Sequence, residues 1–206
     1  MDTEREKIVQ AATQLFAALG LDATTTEQIA GSAGMETAAV RHHFTSNVEL
    51  YREVMRRTAE AEWEAVEDIV AGFTPTRQAL DRLLDEYLDF YARNPDVVGL
   101  WQQRYIGDAG DTADLFERHS VPRIVSFANV LRDAVPDPVH LDYVLWTIRW
   151  VVMGFFAQGV VHANGRVEQR EGRLALDSDL SKFREYLHYL ARRLLDLPDE
   201  RDAPAR

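Results

Sequence analysis

Apolar residues along this chain recur at spacings of three and four, and no segment alternates with period two for long enough to read as a strand. The first stripe is Ile8, Ala11, Ala12, Leu15, Phe16 and Leu19; it predicts a helix from about Thr3 to Leu19, closed by Gly20. Thr24 and Thr25 stand three residues before Glu27 and Gln28, so either pair can form a capping box and start a second helix. That helix turns Ile29, Ala30 and Ala33 inward and stops near Gly34, and a third covers Glu36 to His43. From Ser46 the pattern predicts one long helix to about Ala71. Thr74 as N-cap and Pro75 as first helical residue then open a helix that runs to Arg93. Asn94 and Pro95 reset the chain before a shorter helix with Leu100, Trp101 and Tyr105. Further helices are expected over about 112–134, 139–163 and 179–196, the last carrying a seam of Leu180, Phe183, Leu187, Leu190 and Leu194. The sum is an all-α fold of about nine helices without internal repeats.

The stretch TTTEQIAGSAGMETAAVRHHF, residues 24–44, joins two short helices at a glycine and fits a helix-turn-helix. Ala30 has to be small where the second helix crosses it, Gly34 makes the corner, and Met35 and Val40 pack the second helix back on the first. Such a unit enters the major groove by the N-terminal end of its second helix. Glu36, Thr37, Ala38 and Ala39 occupy that end, and Arg41, His42 and His43 the later turn.

On these residues the chain resembles the N-terminal domain of the TetR (tetracycline-repressor-like) regulators. The matching positions are Ala11-Ala12, Leu15-Phe16, Gly20, Thr24-Thr25, Ile29-Ala30, Ala33-Gly34, His43-Phe44, Ser46 and Leu50, without a gap from Ile8 to Leu50. The resemblance implies a DNA-reading module on a larger helical domain that dimerises and binds a small molecule. The chain then divides into a DNA-binding domain at 1–47 and a ligand-binding and dimerisation domain at 48–197, and the terminal PDERDAPAR, 198–206, reads by itself as a disordered tail. The implied DNA-facing set is Thr25, Glu36, Thr37, Ala38, Ala39, Arg41, His42, His43 and Asn47. Two positions depart from the family: Arg41 stands where a tyrosine is usual and Asn47 where a lysine is, both being phosphate contacts in the family. Arginine restores the first contact, since guanidinium binds phosphate well; at the second an amide and a helix N-terminus remain.

Charge complicates this picture. The 206 residues carry a formal net charge of −11, which argues against a general nucleic-acid binder. Residues 1–47 hold three basic residues (Arg5, Lys7, Arg41) against six acidic ones (Asp2, Glu4, Glu6, Asp22, Glu27, Glu36). Few neutralised phosphates mean modest non-specific affinity and a shallow dependence on salt. Cysteine is absent, which excludes disulfides and thiolate chemistry. The first ten residues are polar and do not read as a secretory signal. The most apolar stretch, 141–161, is interrupted by Asp142 and Arg149 and reads as a buried helix, not a membrane span. A cytoplasmic location is expected.

Beyond residue 60 aromatic residues are dense, which fits either ordinary core or a cavity between helices. The ligand-lining candidates are Trp63, Tyr87, Tyr91, Trp101, Arg104, Tyr105, Phe116, His119, Trp146, Arg149, Trp150 and Met153. Arg149 interrupts an apolar helix and needs a partner, Asp85 or Asp89 or the anionic group of a ligand. Helix 139–163, apolar nearly all round, and the seam of helix 179–196 predict a two-fold dimer interface, with Gly154 and Gly159 allowing close approach. Glu185-x-x-His188 has the local shape of a di-iron ligand pair but lacks a second such pair, and reads as a solvated face. No nucleophile elbow, P-loop or dinucleotide fingerprint occurs, so neither an enzyme, a metal nor a cofactor is expected. The reading is a homodimeric repressor released from a palindromic DNA operator by a small-molecule inducer. The alternative is a ligand-binding protein of the same fold with weak or no DNA binding.

Overall fold

A computed structural model of the chain describes residues 3–106, 113–132, 140–161, 163, 167–168 and 177–202. Eleven α-helices lie among them: α1 (Thr3–Leu19), α2 (Thr26–Ala33), α3 (Thr37–His43), α4 (Asn47–Glu64), α5 (Glu67–Ala71), α6 (Arg77–Arg93), α7 (Pro95–Tyr105), α8 (Ala113–His119), α9 (Val121–Arg132), α10 (Leu141–Gln158) and α11 (Asp177–Leu194). Among the described residues the one ladder is a two-residue antiparallel pair, β1 (Val160–Val161) on β2 (Val167–Glu168), with Val160 opposite Glu168.

The count exceeds nine because two expected helices are each broken. The helix from Ser46 stops at Glu64 and restarts at Glu67. The helix over 112–134 breaks ahead of Val121, where Pro122 fits the first turn of a new helix but not the interior of an old one. The start of α6 is also displaced. Thr76, not Thr74, is the N-cap: its buried hydroxyl accepts from the Ala79 N–H at 3.2 Å, so Pro75 precedes the helix. Residues 198–202, expected in a disordered tail, are docked on α6. The Arg77 N–H donates to the Pro198 carbonyl at 3.0 Å, the Glu200 N–H donates to Gln78 Oε1 at 2.9 Å, and Leu197 is buried.

The chain forms two compact units. One comprises the described residues of Met1–Ala61 and Asp96–Val121, the other those of Glu62–Pro95 and Pro122–Arg206. The first unit is centred on Ile8, Ala12, Phe16, Ile29, Leu50 and Tyr51, all essentially inaccessible, with Phe16 and Tyr51 edge to face at 5.2 Å. Within it α7 lies hard against the end of α1: a Cβ on Gly99 would stand 2.6 Å from the Ala17 carbonyl oxygen, so only glycine fits. Arg52 of α4 forms two hydrogen bonds with the Asp114 carboxylate of α8, at 2.9 and 3.2 Å.

The second unit is built around α6, whose Leu80, Leu84, Leu88 and Tyr91 are buried, together with Leu131, Val152, Leu187, Ala191 and Leu195. Phe183 stacks face to face on Phe155 at 3.8 Å, joining α11 to α10. Arg184 of α11 pairs with both Asp85 and Asp89 of α6, and the His188 ring lies 2.8 Å from Asp85. His188 is therefore a rivet between helices and not part of a solvated face; Glu185 is exposed. No group of side chains suited to a metal ion occurs among the described residues, and none of their helices is long and apolar enough to cross a membrane.

Candidate functional site

The helix pair at 24–44 starts on a side-chain capping box and turns on a backbone closure at Gly34. Thr25 is the N-cap of α2: its hydroxyl accepts from the Gln28 N–H at 3.2 Å while Gln28 Oε1 accepts from the Thr25 N–H at 2.7 Å. Of the two capping boxes the sequence allows, this is the one that forms. Thr24 is buried, its hydroxyl donating to the Gly20 carbonyl at 2.6 Å. At the other end of α2 the Gly34 N–H meets the Gly31 carbonyl and the Met35 N–H meets the Ala30 carbonyl, a Schellman closure. It requires a left-handed residue, and Gly34 supplies it at φ 67°. Val40 is buried, Met35 partly so, which seats α3 on α2.

That seating leaves Glu36, Ala38, Arg41 and His42 exposed and Thr37 and Ala39 half-exposed, a continuous outer face on α3. Glu36 occupies the N-cap position of α3 but makes no side-chain cap. Arg41 donates to the Glu27 carboxylate of α2 at 3.0 Å, both side chains remaining more than half exposed. His43 is mostly covered and lies 3.4 Å from Glu4. Asn47 Nδ2 donates to the Thr24 carbonyl at 2.7 Å while its Oδ1 accepts from the Thr26 hydroxyl at 2.9 Å. Its amide thus fastens α4 to the start of α2.

The acidic residues of α1 turn out to be largely committed. Glu6 accepts from Arg57 at 2.6 Å. Glu53 of α4 accepts from Arg5, Arg56 and Arg57 at 2.9–3.0 Å. Burial alone would raise the Glu53 carboxyl; hydrogen bonds from Arg57, Arg5 and Arg56 outweigh it and hold the group at about 2. No single sequence signal marks Glu53: its partners come from α1 and from its own helix, three and four residues on.

The second cluster of interest surrounds Arg149. Its guanidinium donates to Glu62 at 2.7 Å and to the Tyr87 hydroxyl at 3.0 Å, with the Tyr91 hydroxyl at 3.4 Å. Tyr91 itself donates to Glu62 at 2.7 Å. The partner is therefore Glu62 and neither Asp85 nor Asp89, which are held by Arg184. Burial pushes the Tyr87 hydroxyl up to about 12 and the Tyr91 hydroxyl well above its usual range, so both stay protonated. The node is electrically neutral, with Arg149 and Glu62 side chains only 11% and 15% exposed. Tyr91 is edge to face with Tyr87 and 6.1 Å from Phe156, so the polar group sits in an aromatic wall.

The remaining ligand candidates scatter. Met153 is buried and Trp63 half-buried under the Arg123 guanidinium at 5.7 Å. Trp146 contacts Trp150 at 5.9 Å, and Trp150 is 56% exposed. Trp101, Arg104, Tyr105 and His119 belong to the first unit, where Trp101 is core and Tyr105 is exposed. The side chain of Phe116 lies outside the described residues.

Comparison with known proteins agrees with the helix pair. The family described as bacterial regulatory proteins, tetR family, matches residues 8–54. The HTH-type transcriptional repressor KstR2 of Rhodococcus jostii is 29% identical over 98 residues, 48% of this chain and 48% of its own. The HTH-type transcriptional activator FasR of Mycolicibacterium smegmatis is 29% identical over 89 residues, 43% of this chain and 41% of its own. The chain thus spans about half the length of these curated relatives or less. The solved ketosteroid transcriptional regulator KstR2 of Mycobacterium tuberculosis superposes with a TM-score of 0.68 over 94% of this chain and 95% of its own, at 20% identity. That likeness is one of fold, and it extends over both units. Residues 8–54 thus match the tetR family of bacterial regulatory proteins, and the chain shares its fold with a solved regulator of transcription.

Proposed function

We propose that this protein is a cytoplasmic, homodimeric transcriptional repressor that leaves its operator when a small molecule binds. The observation that carries the reading is the capped pair α2–α3 inside the family match, with an outer face of Glu36, Thr37, Ala38 and Ala39 available to base edges. Thr25, Arg41, His42, His43 and Asn47 flank that face and serve the phosphates. Functionally the DNA-reading domain is residues 1–47 and the ligand and dimer domain 48–197.

We place the ligand site at the Glu62–Arg149 node, whose tyrosines stand beside Phe156. Because Glu62 already answers Arg149, the ligand need bring no charge of its own. Glu62 follows Asn47 on the same helix, α4. A ligand that disturbs the node thereby acts on the helix that fastens the reading head. Inducer and operator then weaken each other by linkage. The dimer uses α10 and α11, which expose Tyr143, Trp150, Tyr186 and Tyr189.

The test is a mobility shift of the purified protein on DNA flanking its own gene, at two salt concentrations. A shift that survives random competitor DNA is expected. Absence of any shift at low salt overturns the reading and leaves a ligand-binding protein that does not touch DNA.

A further inference from the structure

Arg41 is the only arginine or lysine between residues 24 and 47, so it is the one permanent positive charge of the helix-turn-helix. In the structure that charge is already answered, by Glu27 at 3.0 Å. The two residues sit on different helices, Glu27 in the first turn of α2 and Arg41 in the last turn of α3. Their side chains are 62% and 66% exposed, so the pair lies on the surface and not in the core between the helices. A carboxylate that accepts from a guanidinium at this distance offers what a phosphate oxygen would offer.

We infer that Glu27 is an intramolecular stand-in for phosphate, an internal competitor for Arg41 that must be displaced when DNA arrives. The inference rests on the DNA-binding reading above and deepens it. Exposed pairs of this kind are weak enough to exchange. The exchange nevertheless has two consequences. Affinity is lower than Arg41 alone would give. The Arg41 contact also releases little net counterion, because the freed Glu27 takes up a cation near the DNA while the phosphate gives one up. A shallow salt dependence then follows from a particular pair, and not only from the acidic balance of the whole domain.

The experiment compares full-length wild type, Glu27→Gln, Arg41→Ala and the double variant on a random-sequence duplex over a series of salt concentrations. Glutamine keeps the size of the side chain, and circular dichroism checks that α2 is intact. Glu27→Gln is expected to bind about two- to fivefold more tightly than wild type and to steepen the slope of log affinity against log salt by up to about 0.9. In the Arg41→Ala background the same change should have a clearly smaller effect. An equal gain with and without Arg41 overturns the inference, since Glu27 would then act as bulk negative charge. An unchanged affinity in Glu27→Gln, with wild type still bound, overturns it alone. Failure of every variant to bind at the lowest salt overturns the DNA-binding reading and this inference with it, whereas binding by Glu27→Gln when wild type fails supports both.

Discussion

Among single residues, Glu53 ties the most together, because one carboxylate holds arginines from α1 and from two places on α4. Its group titrates near 2 in the folded protein against an ordinary 4.5. A depressed folded value gives stability that is present above the unfolded value and is lost as pH falls from about 4.5 toward 2. Allowing for the partly exposed arginines, the contribution at neutral pH is about 2 kcal/mol. Glu53→Gln should therefore be less stable than wild type by about that amount at pH 7. The gap should close as both are acidified, read from urea midpoints at several pH values. A gap that stays constant with pH would show that the carboxylate charge is not the cause. Arg149 illustrates what a lone residue conceals. That it needed a partner was legible, because an arginine inside an apolar helix is costly unless paired. Which partner was not, since Glu62 is 87 positions away and no local spacing distinguishes it from Asp85 or Asp89.

Elements were legible where their ends are made by neighbouring residues. The box at Thr25 and Gln28 and the corner at Gly34 are local chemistry, and they fix α2 without help from the rest of the chain. The end of α4 is different: no glycine or proline lies between Trp63 and Glu67, so the sequence runs on while the helix stops. Thr74 and Thr76 both resemble caps, and only burial of Thr76 decides between them. Close packing of α7 on α1 was likewise invisible, because a glycine inside a helix reads locally as a weakness. Gly99→Ala should gain from helix propensity yet lose more from the 2.6 Å approach to the Ala17 carbonyl. A net destabilisation of about 1–3 kcal/mol is expected. A thermal midpoint at or above that of wild type would mean that α7 and α1 do not meet as described.

At the scale of the molecule, the proposed dimer concentrates on two exposed aromatic rows. Tyr143 and Trp150 lie two turns apart on α10, and Tyr186 and Tyr189 one turn apart on α11. A Cβ added at Gly154 of α10 would meet nothing within 4 Å. The expected seam on α11 is largely spent inside the chain, with Leu187 fully buried, Phe183 stacked on Phe155 and none of its five residues exposed, so the outward candidates on this helix are its tyrosines. Large aromatic anchors dominate interface energetics. The double variant Trp150→Glu, Tyr189→Glu should sediment as a monomer with unchanged helical content, while wild type sediments as a dimer. A monomeric wild type at micromolar concentration would remove the interface.

The bonds of Asn47 have one more implication. Its amide closes on the Thr24 carbonyl and the Thr26 hydroxyl, so the first residue of α4 and the first turn of α2 cannot drift apart without breaking two hydrogen bonds at once. In the proposed regulator a displacement of α4 would then be handed to α2 and α3 as a tilt, with no melting of the two helices. Release from an operator would be a loss of pitch against the groove, quick to reverse, and the head would emerge from each cycle already folded for the next.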